Sequence, residues 1–453
     1  MSVAQTTADS RPQPSKMYRW VVLIVVSLAM GGNYYVYDSI NPLERIFTDQ
    51  LNFTASQFGW LNASYSVAAV CTLLIGGILI DRFGIRKALF FFSSLCVLGA
   101  VLTALKGSFP LMVTGRTVLG LGAESQIVAV TVALARWFKG KELSFAFGIN
   151  LTIARLASIA ADNAPTWARF AYYPNGVNAA PSWQRPLVLT AVISLLAVVG
   201  ALIYWLMESY GESHYHLGQS GEPDKLSFRE GLKFNPSYWY AVALCFTFYS
   251  GIFPFRTFAI DLFLSKILSQ MGAAAGSQAA FALAQQRAGS LNSLLPFSAM
   301  IATPLFGLVA DKVGKRATLM MFGSLLMVPV YLMIAYAHIS LLVPVSMMGV
   351  AFSLIPAVIW PSIAYIVEES RLGTAYALMS LLQQIGFAIF NLAIGNANQF
   401  SHAGPTNPGG YALGMWIFSI LGFVAFFFSF LLYKRETGPH GHGLETITAS
   451  SHA

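Results

Sequence analysis

Gly77-Ile-Leu-Ile-Asp81-Arg82-Phe-Gly84-Ile-Arg86-Lys87 places four charged side chains between two long apolar runs. Gly307-Leu-Val-Ala-Asp311-Lys312-Val-Gly314-Lys315-Arg316 repeats the pattern of glycine, acid, base, glycine and basic pair. The two aspartates are 230 residues apart in a chain of 453, about half its length. Charges that recur in a short turn between hydrophobic segments mark an internal repeat of a polytopic membrane protein. Composition agrees: 56% of residues are hydrophobic and 10% charged, with mean hydropathy +0.62, where soluble domains carry roughly 25% charge.

Outward from these turns, apolar spans are expected near 17–39, 57–80, 88–106, 109–135, 143–164 and 186–207. A second set follows near 237–260, 291–310, 317–337, 341–366, 373–397 and 411–433. Each reaches the roughly 20 residues that cross a bilayer as a helix. The expectation is an all-α membrane protein of 12 transmembrane helices. Residues 1–16 form a disordered cytoplasmic N-terminus, 17–207 and 237–433 two six-helix bundles, 208–236 a cytoplasmic hinge, and 434–453 a cytoplasmic tail with solvated His440 and His442. Long outer connections are expected at 165–185 and 261–290, the latter with a short helix over 273–288.

With both termini inside, 18 of the 27 Lys and Arg fall on cytoplasmic segments and 6 outside. That bias sets the orientation and accounts for the net charge of +8; no long basic run or zinc-finger spacing points to nucleic acid. Cys71, Cys96 and Cys245 lie in apolar runs without paired spacing, so no disulfide, metal site or cofactor is expected. Paired catalytic acids, a Ser/His/Asp set and a phosphate loop are likewise missing from register, which argues against an enzyme.

The charged turns are expected to act as a conformational lock. Gly77 would let backbones approach closely, and Asp81 would face a helix N-terminus of the other half. Arg82, Arg86 and Lys87 would pair with acids or phosphates, with Gly84 in the turn and Asp311, Lys312 and Gly314 as counterparts. Topology alone would need neither the repeated acid nor the repeated glycine.

Ionisable residues inside spans are functional candidates by default. Glu124 lies 14 residues from Pro110 and 12 from Arg136, roughly 21 and 18 Å along a helix, which is mid-membrane. Arg155 lies 13 residues from Glu142, about 20 Å up the next helix. An acid and a base at one depth form either a structural pair or a receptor for opposite charges. Tyr37, Asn150, Gln126 and Trp360 are the further expected substrate contacts. Arg116, nearer the outer surface, reads equally as a structural or gating residue and as a substrate contact. Asp38 reads as outer gate or topology charge, and Arg256 is expected to snorkel to the outer surface.

The charged turn resembles the loop between helices two and three of the major facilitator superfamily, and Arg116 to Gly120 resembles its signature on helix four. Tyr37-Asp38, Asn41-Pro42, Gly122-Ala-Glu124-Ser125 and Trp137-Phe-Lys139-Gly-Lys141-Glu142-Leu143 resemble the lysosomal dipeptide transporter branch. So do Ala154-Arg155, Phe253-Pro254-Phe255, Trp360-Pro361 and Leu372-Gly-Thr-Ala-Tyr376. The resemblance implies movement of short peptides by alternating access, with Glu124 holding the amino end and Arg155 the carboxylate. Uniport and proton coupling both stay open, with Glu124 the proton carrier in the second case. Compact loops and the lack of an acidic di-leucine signal in residues 1–16 point to the plasma membrane of a prokaryote. A monomer without accessory subunit is expected. The alternatives are a proton-coupled organic-anion or sugar-acid carrier and a non-transporting receptor.

Overall fold

Side-chain caps at Ser15, Thr54, Asn235 and Ser277 mark where four of the helices begin. Thr54 accepts a hydrogen bond from the Gln57 backbone N–H (3.2 Å) while the Gln57 side chain accepts one from Thr54 N–H (3.0 Å). This reciprocal capping box satisfies two donors that a helix start leaves unpaired and opens a helix at Ala55. The computed structural model describes residues 12–138, 142–215, 217 and 233–448. Within them run twelve long helices: α1 Lys16–Asp38, α2 Ala55–Phe83, α3 Ile85–Leu105, α4 Phe109–Phe138, α5 Leu143–Asp162 and α6 Gln184–His214. The second set is α7 Pro236–Met271, α8 Gln278–Val313, α9 Arg316–Tyr336, α10 Leu342–Ile366, α11 Leu372–Phe400 and α12 Ala412–Glu436.

Among the described residues eleven segments are long and apolar enough to cross a membrane. The remaining long helix, α2, has 29 residues, about 43 Å of helix. Helix α6 exposes Val188, Val192, Leu195, Val199 and Leu206, and α12 exposes Ile420, Phe423 and Phe427. Rows of exposed apolar side chains on bundle helices are faces for lipid. The two sets of six meet mainly along α2–α11 and α5–α8. Glycines permit the approach: a Cβ on Gly59 would lie 2.5 Å from the Asn391 carbonyl oxygen.

Three boundaries differ from the expected ones. The 261–290 connection is mostly helix: α7 runs to Met271, a short turn covers Gly272–Gly276, and α8 starts at Gln278. Ala is the strongest helix former, and Ser277 caps the start through Ala280 N–H (3.1 Å). The hinge begins late, because α6 continues to His214, clipped by Arg136 to Glu208 (2.5 Å) and by Arg86 to Glu212 (2.9 Å); residues 218–232 lie outside the described residues. Nor is the tail free up to residue 448. His442 contacts Glu436 (2.9 Å) and Asn235 (3.2 Å), correcting the solvated reading, whereas His440 is exposed.

Leu444 is fully buried, and Glu445 reaches the first turn of α9, accepting from Thr318 N–H (2.8 Å) and its hydroxyl (2.7 Å). A carboxylate on free N–H groups of a helix start is a cap supplied from a distance. Glu445→Ala is expected to destabilise the protein by about 1 kcal/mol, read as a lowered melting temperature with the membrane fold retained.

The repeated turns share one backbone requirement. Gly84 (φ +79°) ends α2 and Gly314 (φ +69°) ends α8, a left-handed conformation that costs glycine little. Gly77 does not mediate close packing, since nothing lies within 4 Å of its built Cβ. The neighbouring Gly76 does, with Ser125 Oγ at 2.3 Å from that position. Arg86 joins Glu212 of its own half, and Arg316 joins Asp311 (2.8 Å) within its own turn. Arg82, Lys87 and Lys312 are exposed; the Asp81 side chain, Lys139 and Lys141 lie outside the described residues.

Candidate functional site

Halfway along α4, Glu124 faces the seam between the bundles. Its Oε1 accepts from the Tyr65 hydroxyl on α2 (3.1 Å) and from Gln384 Nε2 on α11 (2.9 Å). The second bond joins the two halves at the level of the site. Around it lies a cavity of about 280 Å³. Asn33, Tyr34 and Tyr37 line it from α1, Phe253 and Arg256 from α7, Trp360 from α10, and Ser380, Gln383 and Phe387 from α11.

The walls are held by a second set of contacts. Arg116 is buried and points its guanidinium at the carbonyls of Val36 (3.4 Å) and Tyr37 (3.3 Å) and at Asn62 Oδ1 (3.2 Å). It also sits 5.4 and 5.5 Å from the ring centres of Tyr37 and Tyr65, within cation–π range. Arg116 thus braces α1 and α2 and presents both tyrosines; it does not line the cavity. Trp360 donates its indole N–H to the Tyr249 hydroxyl (2.8 Å), and Tyr376 donates to the Trp360 carbonyl (3.1 Å).

Arg155 lies half-buried on α5 with its guanidinium 5.2 Å from the Phe352 ring of α10. Its Nη1 is buried and has no hydrogen-bond partner. Glu124 and Arg155 make no ion pair with each other. Glu124 lines the cavity and Arg155 is not among its lining residues; an unpaired buried donor such as Arg155 Nη1 gains most from a charged acceptor.

Two expected contacts turn elsewhere. Gln126 is two positions from Glu124, about 200° around the helix, so it cannot share that face. It is fully buried and donates to the Ala29 carbonyl (3.1 Å) and Ser93 (3.1 Å). Asn150, five residues before Arg155, packs on α1 with Nδ2 against Met30 Sδ (2.9 Å). Tyr65, Gln384 and Phe253 were missed as site residues. The adjacent Gln383 and Gln384 within an apolar span were the available signal for the second.

Arg256 does not snorkel. It is 2% exposed and bridges Asp38 (3.3 Å) and Asp162 (3.0 Å), the ends of α1 and α5, across the halves. Asn292 of α8 donates to the other oxygen of Asp162 (2.9 Å). Two carboxylates at that depth hold the base more strongly than the surface would hydrate it. Further out, Arg45 grips Asp261 with two bonds of 2.9 Å, Gln285 donates to the Pro42 carbonyl (2.7 Å), and Ser56 joins Asn396 (2.7 Å). Among the described residues, polar contacts between the halves lie at the level of Glu124 or outside it. Among the described residues, the ion pairs of Arg86, Arg136 and Arg316 on the cytoplasmic side stay within one half. The structure is closed outward, and the Arg86 and Arg316 pairs of the cytoplasmic turns run to their own halves.

Close packing makes this closure sensitive to volume. A Cβ on Gly289 would meet the Asp162 carbonyl oxygen at 2.1 Å. Gly289→Leu is expected to wedge the outer side open, checked by faster alkylation of a cysteine placed at Asn33 inside the cavity; unchanged alkylation would contradict the closure.

Alternating apolar spans, paired charged turns, a mid-membrane cavity and a sealed outer side define a two-bundle membrane transporter. The Major Facilitator Superfamily model matches residues 23–285 and 262–449, and the chain belongs to that family. It is 30% identical to the lysosomal dipeptide transporter MFSD1 of Danio rerio over 387 residues, 84% of this chain and 80% of that protein. The same protein of Homo sapiens is 30% identical over 393 residues, again 84% and 80%. The hexuronate transporter of Escherichia coli K12 is 23% identical over 190 residues, 42% of each chain. The fold matches a point mutant of the nucleoside transporter NupG with TM-score 0.71 and 12% identity, over 91% of this chain and 99% of that one. A bacterial homologue of the human lysosomal transporter Spinster, inward-facing and unoccupied, matches with TM-score 0.68 and 19% identity over 93% and 98%. The chain is a multi-pass integral membrane transporter, and its family is one of transporters, not enzymes.

Proposed function

We propose that the protein moves short peptides, dipeptides first among them, across the plasma membrane of a prokaryote by alternating access. The observation that carries the reading is an acid and a base on the adjacent helices α4 and α5 of the first bundle, both in the mid-membrane region and unpaired with each other. Glu124 receives the peptide ammonium, exchanging its bond from Gln384 for a charge-assisted one. Arg155 offers its free Nη1 to the peptide carboxylate, and Trp360, Phe253 and Phe387 provide apolar surface for side chains. Because the Gln384 bond spans the halves, substrate entry also loosens a contact between them. The relatives named for dipeptide transport support the cargo.

Arg155 and Glu124 satisfy a zwitterion without a coupled ion, which favours uniport by a single chain without an accessory subunit; proton coupling through Glu124 is the competing mode. A second reading, an organic-anion or sugar-acid carrier, is favoured by the likeness to the hexuronate transporter and by Arg256 lining the same cavity as Glu124. Thermal stabilisation of the purified protein separates them. Dipeptides should raise the melting temperature and free carboxylates should not; stabilisation by carboxylates alone would replace the peptide reading.

A further inference from the structure

Outside the gate lies a second cavity of about 220 Å³, at the junction of the two halves. Glu44, Arg45 and Thr48 line it from the segment after α1; Asp261 of α7, Asn398 of α11 and Tyr411 line it from the second half. Glu44 is 3% exposed, and its Oε2 is buried with no hydrogen-bond partner. Arg45 stands next in sequence, yet its guanidinium is committed to Asp261 through Nε to Oδ1 and Nη2 to Oδ2, both 2.9 Å. The Tyr411 hydroxyl completes Asp261 by donating to Oδ2 (2.5 Å) and contacts Ser265 (3.1 Å). Arg45 and Asp261 cancel, so the charge of Glu44 has no counterpart. Asn398, 2% exposed, adds a second orphan: its Oδ1 is also buried without a donor. A buried carboxylate without partner is costly, and such groups are neutralised by a proton or a cation.

We propose that this cavity binds one monovalent cation, a proton or a sodium-sized ion, on Glu44, with the amide oxygen of Asn398 as the second oxygen ligand, from the opposite half. The acceptors are all oxygen, which suits hard cations. One uncompensated charge fits a monovalent ion, whereas divalent oxygen sites are built from more ligands. His402 also lines the cavity, and Arg45, Asp49, Asp261 and Tyr411 are the other titratable groups around Glu44. Since Glu44 and Asn398 belong to different halves, the complete site exists while the outer side is shut. A cation on it stabilises the outward-closed state by mass action and slows reopening.

The test needs no substrate and so stands or falls apart from the peptide reading. Spin labels are placed at Lys106→Cys and His338→Cys, exposed outer positions on the two halves, in protein with Cys71, Cys96 and Cys245 replaced by Ser. Sodium chloride is exchanged for choline chloride at pH 8, and separately pH is lowered from 8 to 5.5 in choline. The closed-to-open ratio should rise about tenfold when the cation reaches about ten times its Kd. Glu44→Gln should abolish the response and His402→Gln should keep it. Response to pH alone identifies a proton, and response to sodium at pH 8 identifies the alkali ion. Silence in both arms, or a full response in Glu44→Gln, overturns the proposal and leaves water as the occupant.

Discussion

Arg256→Ala is expected to convert the resting carrier from outward-closed to outward-open. Loss of the guanidinium leaves Asp38 and Asp162, 1% and 0% exposed, buried without their base. Removing one partner of a buried ion pair costs about 3–5 kcal/mol because the other charge stays desolvated. In the outward-open state both carboxylates meet water, so the cost falls on the closed state. The equilibrium should move by a factor on the order of 10² to 10³. Labels at Lys106→Cys and His338→Cys should report a longer outer distance. Adding Asp38→Asn and Asp162→Asn to the variant should restore the short one, because neutral amides can face each other. An unchanged distance in Arg256→Ala would mean that the outer closure rests on packing alone.

The second large effect belongs to Glu124. Glu124→Gln keeps a carbonyl oxygen for Tyr65 and Gln384, so the cavity should hold its shape, but it removes the charge that meets an ammonium. Hydrogen bonds to charged groups contribute about 1.5–3 kcal/mol, so dipeptide affinity should fall by roughly 10- to 150-fold. The loss should be selective: an N-acetylated dipeptide, lacking the ammonium, should bind wild type and variant alike. Arg155→Lys should mirror it at the other end, keeping charge while losing the planar fork. Equal weakening of acetylated and free peptide by Glu124→Gln would place the ammonium elsewhere.

The fold was legible because the repeat, the span lengths and the Lys/Arg bias are one-dimensional signals. Depth was legible for the same reason: counting residues from Pro110 and Arg136 puts Glu124 mid-membrane. What a linear count does not give is azimuth and partner. Gln126 shares the depth of Glu124 but turns about 200° away into α1 and α3. Arg256 falls near the end of the expected 237–260 span, where a lone cation snorkels, but α7 continues to Met271. Only the convergence of α1, α5 and α7 brings Asp38 and Asp162 to Arg256. The conformational role expected of Gly77 and its neighbours concerns contacts across a closed cytoplasmic side, whereas among the described residues the polar contacts between the halves lie at the level of Glu124 and outside it. Gly84 and Gly314 nevertheless show why the motif repeats: each needs a positive φ to turn one membrane helix into the next.

Passage of a zwitterionic peptide at Glu124 and Arg155 is the step on which the proposed function depends. Its most direct measurement is counterflow of a radiolabelled dipeptide into proteoliposomes loaded with the same unlabelled peptide, with Glu124→Gln and Arg155→Ala alongside. Transient accumulation is expected with wild type and none with either variant. Accumulation that persists in both variants, or wild-type vesicles that exchange a sugar acid and no peptide, would contradict it.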